Sequence, residues 1–193
     1  MDPTPAVRNM EDQISQAGSL NIRQLVPVNT RRPAMNAGTI RKGAVVGALA
    51  GMMMAMFSMI LMGMVGEGFW TPVNAIAHTL WRNGPLDGTF SLGGTVLGVM
   101  MHMGLSMMLG AMVALIAERR AATGSSAVAI GVGVAAAAWV GQLVVWSAVD
   151  SAAADAVRPW IFTMSHAVFG MVAGFGVTMG ARHPSLRPAV RHA

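Results

Sequence analysis

The sequence predicts an all-α integral membrane protein, a four-helix bundle. Three observations carry that prediction. Charged residues make up 11% of the 193 and hydrophobic residues 54%, whereas a soluble domain carries about 25% charged residues. The mean hydropathy is +0.55. Four long runs lack Asp, Glu, Lys and Arg altogether. A hydrocarbon core about 30 Å thick needs ~20 apolar residues at 1.5 Å rise per residue, and each run meets that length. Backbone groups in lipid must satisfy one another, so the runs are helices. The in/out alternation of a membrane β-barrel is absent.

Residues 1–42 form a polar tail with Pro3, Pro5, Pro27 and Pro33, predicted to be extended or disordered on its own. The first apolar run begins only at Gly43, too late and too long for a signal peptide. Span one is 43–65, "GAVVGALAGMMMAMFSMILMGMV". Span two is 95–117, "TVLGVMMHMGLSMMLGAMVALIA". Span three is 126–149, "SAVAIGVGVAAAAWVGQLVVWSAV". Span four is 160–181, "WIFTMSHAVFGMVAGFGVTMGA". Together they make a membrane domain over 43–181, followed by a basic tail over 182–193. Such a tail suits anionic headgroups.

Segment 66–94 is the longest connection between spans. Thr71–Pro72 is a helix-start signal, and Asn83–Gly84–Pro85 is a stop. Between them Val73, Ile76, Ala77, Leu80 and Trp81 recur at helical spacing, with Asn74, His78 and Arg82 on the opposite face. This predicts an amphipathic helix over 72–82 lying at the membrane interface. Phe69, Trp70, Trp81, Trp146 and Trp160 are the expected interface anchors. His78 reads as part of a wet polar face, with a ligand or proton carrier as the alternative. Glu67, Asp87, Asp150 and Asp155 fall in connecting loops, where solvated carboxylates are expected.

Eleven basic residues lie on one side of the predicted spans: Arg8, Arg23, Arg31, Arg32, Arg41, Lys42, Arg119, Arg120, Arg182, Arg187 and Arg191. Only Arg82 and Arg158 lie on the other. The positive-inside rule then puts both termini in the cytoplasm and the 66–94 loop outside. The formal charge of +5 serves topology here. With no basic patch interleaved with aromatics, no nucleic-acid partner is expected.

Aligning spans two and four on their histidines gives an internal match at a constant shift. Met100 falls on Met164, His102 on His166, Met107 on Met171, Gly110 on Gly174 and Val113 on Val177. Spans one and three match Gly47 with Gly131 and Ser58 with Gln142. The pattern predicts two hairpins in parallel pseudo-repeat. The same count sets depth: His102 and His166 each fall about 10 Å below the outer boundary. Ser58 and Gln142 reach the same level from below, with Ser106 one turn beneath His102. Polar side chains in lipid turn inward toward one another, so Ser58, His102, Ser106, Gln142 and His166 are predicted to form one polar layer. Gly43, Gly47 and Gly51 in span one, and Gly170 and Gly174 in span four, are the expected close-packing positions.

His102 and His166 are the candidate cofactor-binding residues, as axial ligands of a b-type haem. Copper is the other candidate, since Met52, Met53, Met54, Met56, Met59, Met62 and Met64 supply soft thioethers. The alternatives are an interhelical hydrogen-bond layer for the histidines and ordinary packing for the methionines. With no cysteine, thiolate metal sites and disulfides are excluded. Ser106 and His102 lie one turn apart without an acidic orienter in the span, so no catalytic residue is assigned and no enzyme is predicted. A small oligomeric transporter working through the polar layer is the remaining alternative.

The stretches "GALAGMMMAMFSMI", "GFWTPVNAIAHTLWR" with "GPLDGTFSLG", and "GVMMHMGLSMMLGAMVALI" resemble a group of uncharacterised four-span bacterial membrane proteins, over about residues 43–181. The resemblance implies a four-helix membrane fold and a bacterial inner membrane, and no activity. Short loops and small, apolar faces point to an accessory or structural subunit, with the lipid bilayer and other membrane subunits as partners.

Overall fold

A computed structural model describes residues 36–179. The tails predicted over 1–42 and 182–193 lie largely or wholly outside the described residues, as do the last residues of the fourth predicted span. Every regular element described is a helix: α1 Ala37–Met64, α2 Thr71–His78, α3 Leu92–Arg119, α4 Ser125–Val149, α5 Ser151–Asp155 and α6 Pro159–Thr178. α1, α3, α4 and α6 are long and apolar enough to cross a membrane. Over the described residues the chain is all-helical, with the four long apolar helices of a multi-pass membrane protein.

The long helices begin where local chemistry caps them. Asn36 accepts the Gly38 amide at 3.0 Å, and Ser91 accepts the Gly94 amide at 3.3 Å, so α1 and α3 start earlier than the apolar runs alone would place them. Pro159 opens α6 from its first turn, where its missing N–H costs nothing. At the other end of the bundle, Lys42 Nζ donates to the Val177 carbonyl at 2.6 Å. A cation there complements the unpaired carbonyls of the α6 C-terminus.

Helix pairs close through glycine. A Cβ on Gly47 would overlap the Ser106 carbonyl and lie 2.9 Å from the Gly110 Cα. One on Gly43 would lie 2.7 Å from Ala111 Cα. α1 and α3 therefore touch backbone to backbone. α4 and α6 do the same: a Cβ on Gly131 would overlap the Gly170 carbonyl and reach 3.0 Å from Gly174 Cα. α6 also packs on α1, where a Cβ on Gly176 would meet Val46 Cγ1 at 2.7 Å. The ring runs α4–α6–α1–α3, and its closing contact, α3 with α4, is sparse.

Two apolar cores stack along the bundle. Ala50, Val113, Ala114, Val134, Phe169 and Ala173 belong to the first. Ala75, Trp139, Trp146, Ala153, Val157 and Phe162 form the second, under the cap made by α2 and α5.

The cap departs from the sequence reading. α2 stops at His78, short of the predicted 82, and the chain turns with the Leu80 and Trp81 amides both on the Ala77 carbonyl. Of its predicted polar face only Arg82, beyond the end of the helix, is exposed. Thr71, Asn74 and His78 are buried, while Leu80 and Trp81 are exposed. α2 is held inside the mouth of the bundle, with Gly98 of α3 so close that a Cβ there would overlap the Val73 carbonyl.

Candidate functional site

The predicted polar layer converges on two cavities beneath the cap. Ser58, His102 and Gln142 line the smaller, about 30 Å³, the size of one water. His102, Ser106, Gln142 and His166 line the larger, about 420 Å³, together with Thr79 and Trp146. The larger cavity lies between α3 and α4, where the ring of helices is least closed. Leu105, Met108 and Val145, three of its lining residues, are exposed on the flank of the bundle.

Each imidazole is fixed by a backbone carbonyl. His102 Nε2 donates to Gly51 at 2.9 Å, and His166 Nδ1 donates to Phe162, one turn back, at 2.8 Å. A carbonyl only accepts, so the bonded nitrogen carries the proton. The remaining nitrogen of a neutral ring, Nδ1 of His102 and Nε2 of His166, is then an acceptor. The Trp139 ring lies against His166 with centroids 5.1 Å apart and further fixes its plane. Ser58 and Ser165 return their hydroxyl protons to their own helices, at Ala55 and Ile161. Gln142 and Ser106 make no side-chain hydrogen bond among the described residues.

This arrangement bears on the cofactor candidates. His166 has the geometry of a metal ligand, with Nδ1–H held by a carbonyl and Nε2 free. His102 has its Nε2 on Gly51 and offers only Nδ1, the ring atom nearer its own backbone. The two rings do not present matched nitrogens to a shared haem iron. Among the methionines, Met54, Met101 and Met108 line the larger cavity. Met52, Met53, Met56 and Met64 are exposed on the bundle surface, and Met59 and Met62 are buried.

Above the cavities sits a charged cluster that sequence reasoning missed. Asp150 is 2% exposed, not a solvated loop carboxylate. Its Oδ2 lies 2.8 Å from His78 Nδ1, its Oδ1 accepts the Ala153 amide at 3.1 Å, and Arg82 stands 3.5 Å away. Arg82 also donates to the Val149 carbonyl. Asp150 thus ends α4, caps α5 and ties both to α2. Burial by itself would raise its carboxyl pKa; His78, the Ala153 amide and Arg82 outweigh burial and hold it below the ordinary 3.8. The available signal was "VDSAAAD", an Asp placed as an N-cap. Nothing in the sequence announces its partner in α2.

The anchors divide. Phe69, Trp70 and Phe90 form an edge-to-face cluster beside the cap, and Trp160 is exposed at the start of α6. Trp81 is 39% exposed. Trp146 is buried and is not an interface anchor. Its indole packs at 5.9 Å from the Phe162 ring and donates Nε1–H to Thr79 at 3.1 Å. A buried indole needs such a partner, and Thr79 supplies it. An ion pair between Arg158 and Glu67 clips the 66–70 loop to the start of α6. No family model, curated protein or solved structure matches the chain.

Proposed function

We propose that the protein is a non-catalytic accessory or structural subunit of a larger complex in the bacterial inner membrane. It is built from two hairpins in parallel pseudo-repeat, with both termini cytoplasmic and the cap outside. One observation carries the subunit reading. α4 presents Ala129, Gly133, Ala137 and Gly141 at every fourth position on an exposed face, and a Cβ on Gly133 or Gly141 would meet nothing within 4 Å. Within the chain the same small-residue spacing brings helix backbones together. A face bound only by lipid tails gains nothing from small residues, whereas a neighbouring helix gains close approach.

Gentle detergent extraction followed by native mass measurement tests this. The expected species is the chain in a stoichiometric complex, lost on Gly133→Leu with Gly141→Leu. A lone monomer from wild-type membranes overturns the reading.

A second reading, copper binding, is favoured by Met54, Met101 and Met108 lining one cavity with His102 and His166. Copper measured by elemental analysis at one equivalent, reduced by His166→Ala, supports it. Metal at trace level sinks it.

A further inference from the structure

We propose that the cavity between α3 and α4 binds one lipid-phase molecule with an uncharged, hydroxyl-bearing head on an apolar body. Its volume, about 420 Å³, falls within the roughly 300–1,000 Å³ typical of small-molecule sites. Its mouth is apolar, formed by Leu105, Met108 and Val145. In a spanning bundle that flank faces acyl chains, so the occupant arrives through the lipid and its body is apolar.

The head is specified by hydrogen-bond polarity. Both imidazoles have their protonated nitrogen on a backbone carbonyl, which leaves each with an acceptor. The ligand must therefore supply an O–H or N–H. Gln142 and Ser106 have uncommitted donors, and the Thr79 oxygen already accepts from Trp146, leaving its own proton to give. The ligand's polar atoms must therefore also accept, and a hydroxyl does both. None of the lining residues carries Asp, Glu, Lys or Arg. A charged head would have no counter-charge there, and burying it unpaired is costly. The site is thus distinct from the free face of α4 and needs no partner subunit.

Two sources offer this chemistry: a phenolic quinol-type ring, or the glycerol or sugar hydroxyls of an uncharged lipid head. The purified full chain in phosphatidylcholine nanodiscs distinguishes them. Tryptophan emission, corrected for absorbance, reports on Trp146 at the cavity and Trp139 beside His166. The probes are a short-chain alkyl hydroquinone held reduced, a monoacylglycerol of matched chain, and the dimethyl ether of the hydroquinone. The expected result is saturation at one site per chain by at least one hydroxylated probe, with the ether about tenfold weaker. Saturation by the hydroquinone assigns a phenolic ring, and saturation by the monoacylglycerol alone assigns a lipid head. His166→Phe is expected to weaken the hydroxylated probe about tenfold and leave the ether unchanged. Leu105→Phe, at the mouth, is expected to weaken all probes while the helical signal is retained. Equal affinity for ether and hydroxylated probes, no saturable binding, or indifference to Leu105→Phe overturns the proposal.

Discussion

Asp150 concentrates more structure than any other side chain described. It receives an amide of α5, the ring of His78 and the charge of Arg82 within a buried pocket. Truncating one member of a buried charged cluster leaves the others unpaired, which costs about 3–5 kcal/mol. Asp150→Ala is therefore expected to destabilise the cap by about 3 kcal/mol, and Asp150→Asn, which keeps an acceptor for Ala153, by about 1–2 kcal/mol. Chemical unfolding followed by tryptophan emission measures both, since Trp146 donates to Thr79 next to His78. The pH dependence has a defined sign. A carboxyl whose pKa is lowered by folding contributes fully above its unfolded pKa and loses that contribution as pH falls through the folded value. The gap between wild type and Asp150→Asn is expected to close as pH falls below about 4, where the Asp150 carboxyl takes up its proton. A gap that closes on the alkaline side instead would sink this assignment.

At the scale of elements, glycine decides where helices can touch. Gly47 and Gly131 sit where any Cβ overlaps the facing carbonyl. Gly47→Ala or Gly131→Ala must push two backbones apart, at an expected cost of about 1–3 kcal/mol each. Gly104, with nothing within 4 Å of a Cβ, is the control. Gly104→Ala removes only glycine's helix penalty and is expected to gain up to about 1 kcal/mol. Helix content against increasing denaturant reads out all three, and equal effects would show that the contacts do not carry stability. These contacts also explain what sequence could reveal. Charge-free apolar runs leave a chain little choice but helix, so the four long helices are legible to within six residues at their described ends. The depth count brought Ser58, His102, Gln142 and His166 to one level with Ser106 one turn beneath; His102, Ser106, Gln142 and His166 line the larger cavity and Ser58 the smaller. The cap was not legible in the same way. An isolated α2 looks amphipathic, and only the surrounding helices cover its polar side as well, so that Asn74 and His78 are buried along with Val73 and Ala77. His78 and Asp150 meet across loops no periodicity connects, and Trp146 reads as an anchor until Thr79 is placed beside it.

At the scale of the whole molecule, the two hairpins repeat a contact as well as a pattern. Gly47 faces the Ser106 carbonyl and Gly110, and Gly131 faces the Gly170 carbonyl and Gly174. The shift that aligns His102 with His166 also carries Ser106 onto Gly170 and Gly110 onto Gly174. Equivalent residues making equivalent contacts support a parallel pseudo-repeat, and a parallel repeat requires α1 and α4 to cross the membrane in the same direction. The basic residues fix that direction only if the cap lies outside. The absence of native cysteine allows a direct test. Asn83 is exposed beside the cap, and Ala121 is exposed in the turn between α3 and α4. In intact cells an impermeant maleimide is expected to label Asn83→Cys and to spare Ala121→Cys, which reacts only after lysis. Labelling of Ala121→Cys alone would invert the topology. It would also place the His102–His166 cavity in the cytoplasmic leaflet, where a lipid-phase ligand would approach from the opposite half of the bilayer.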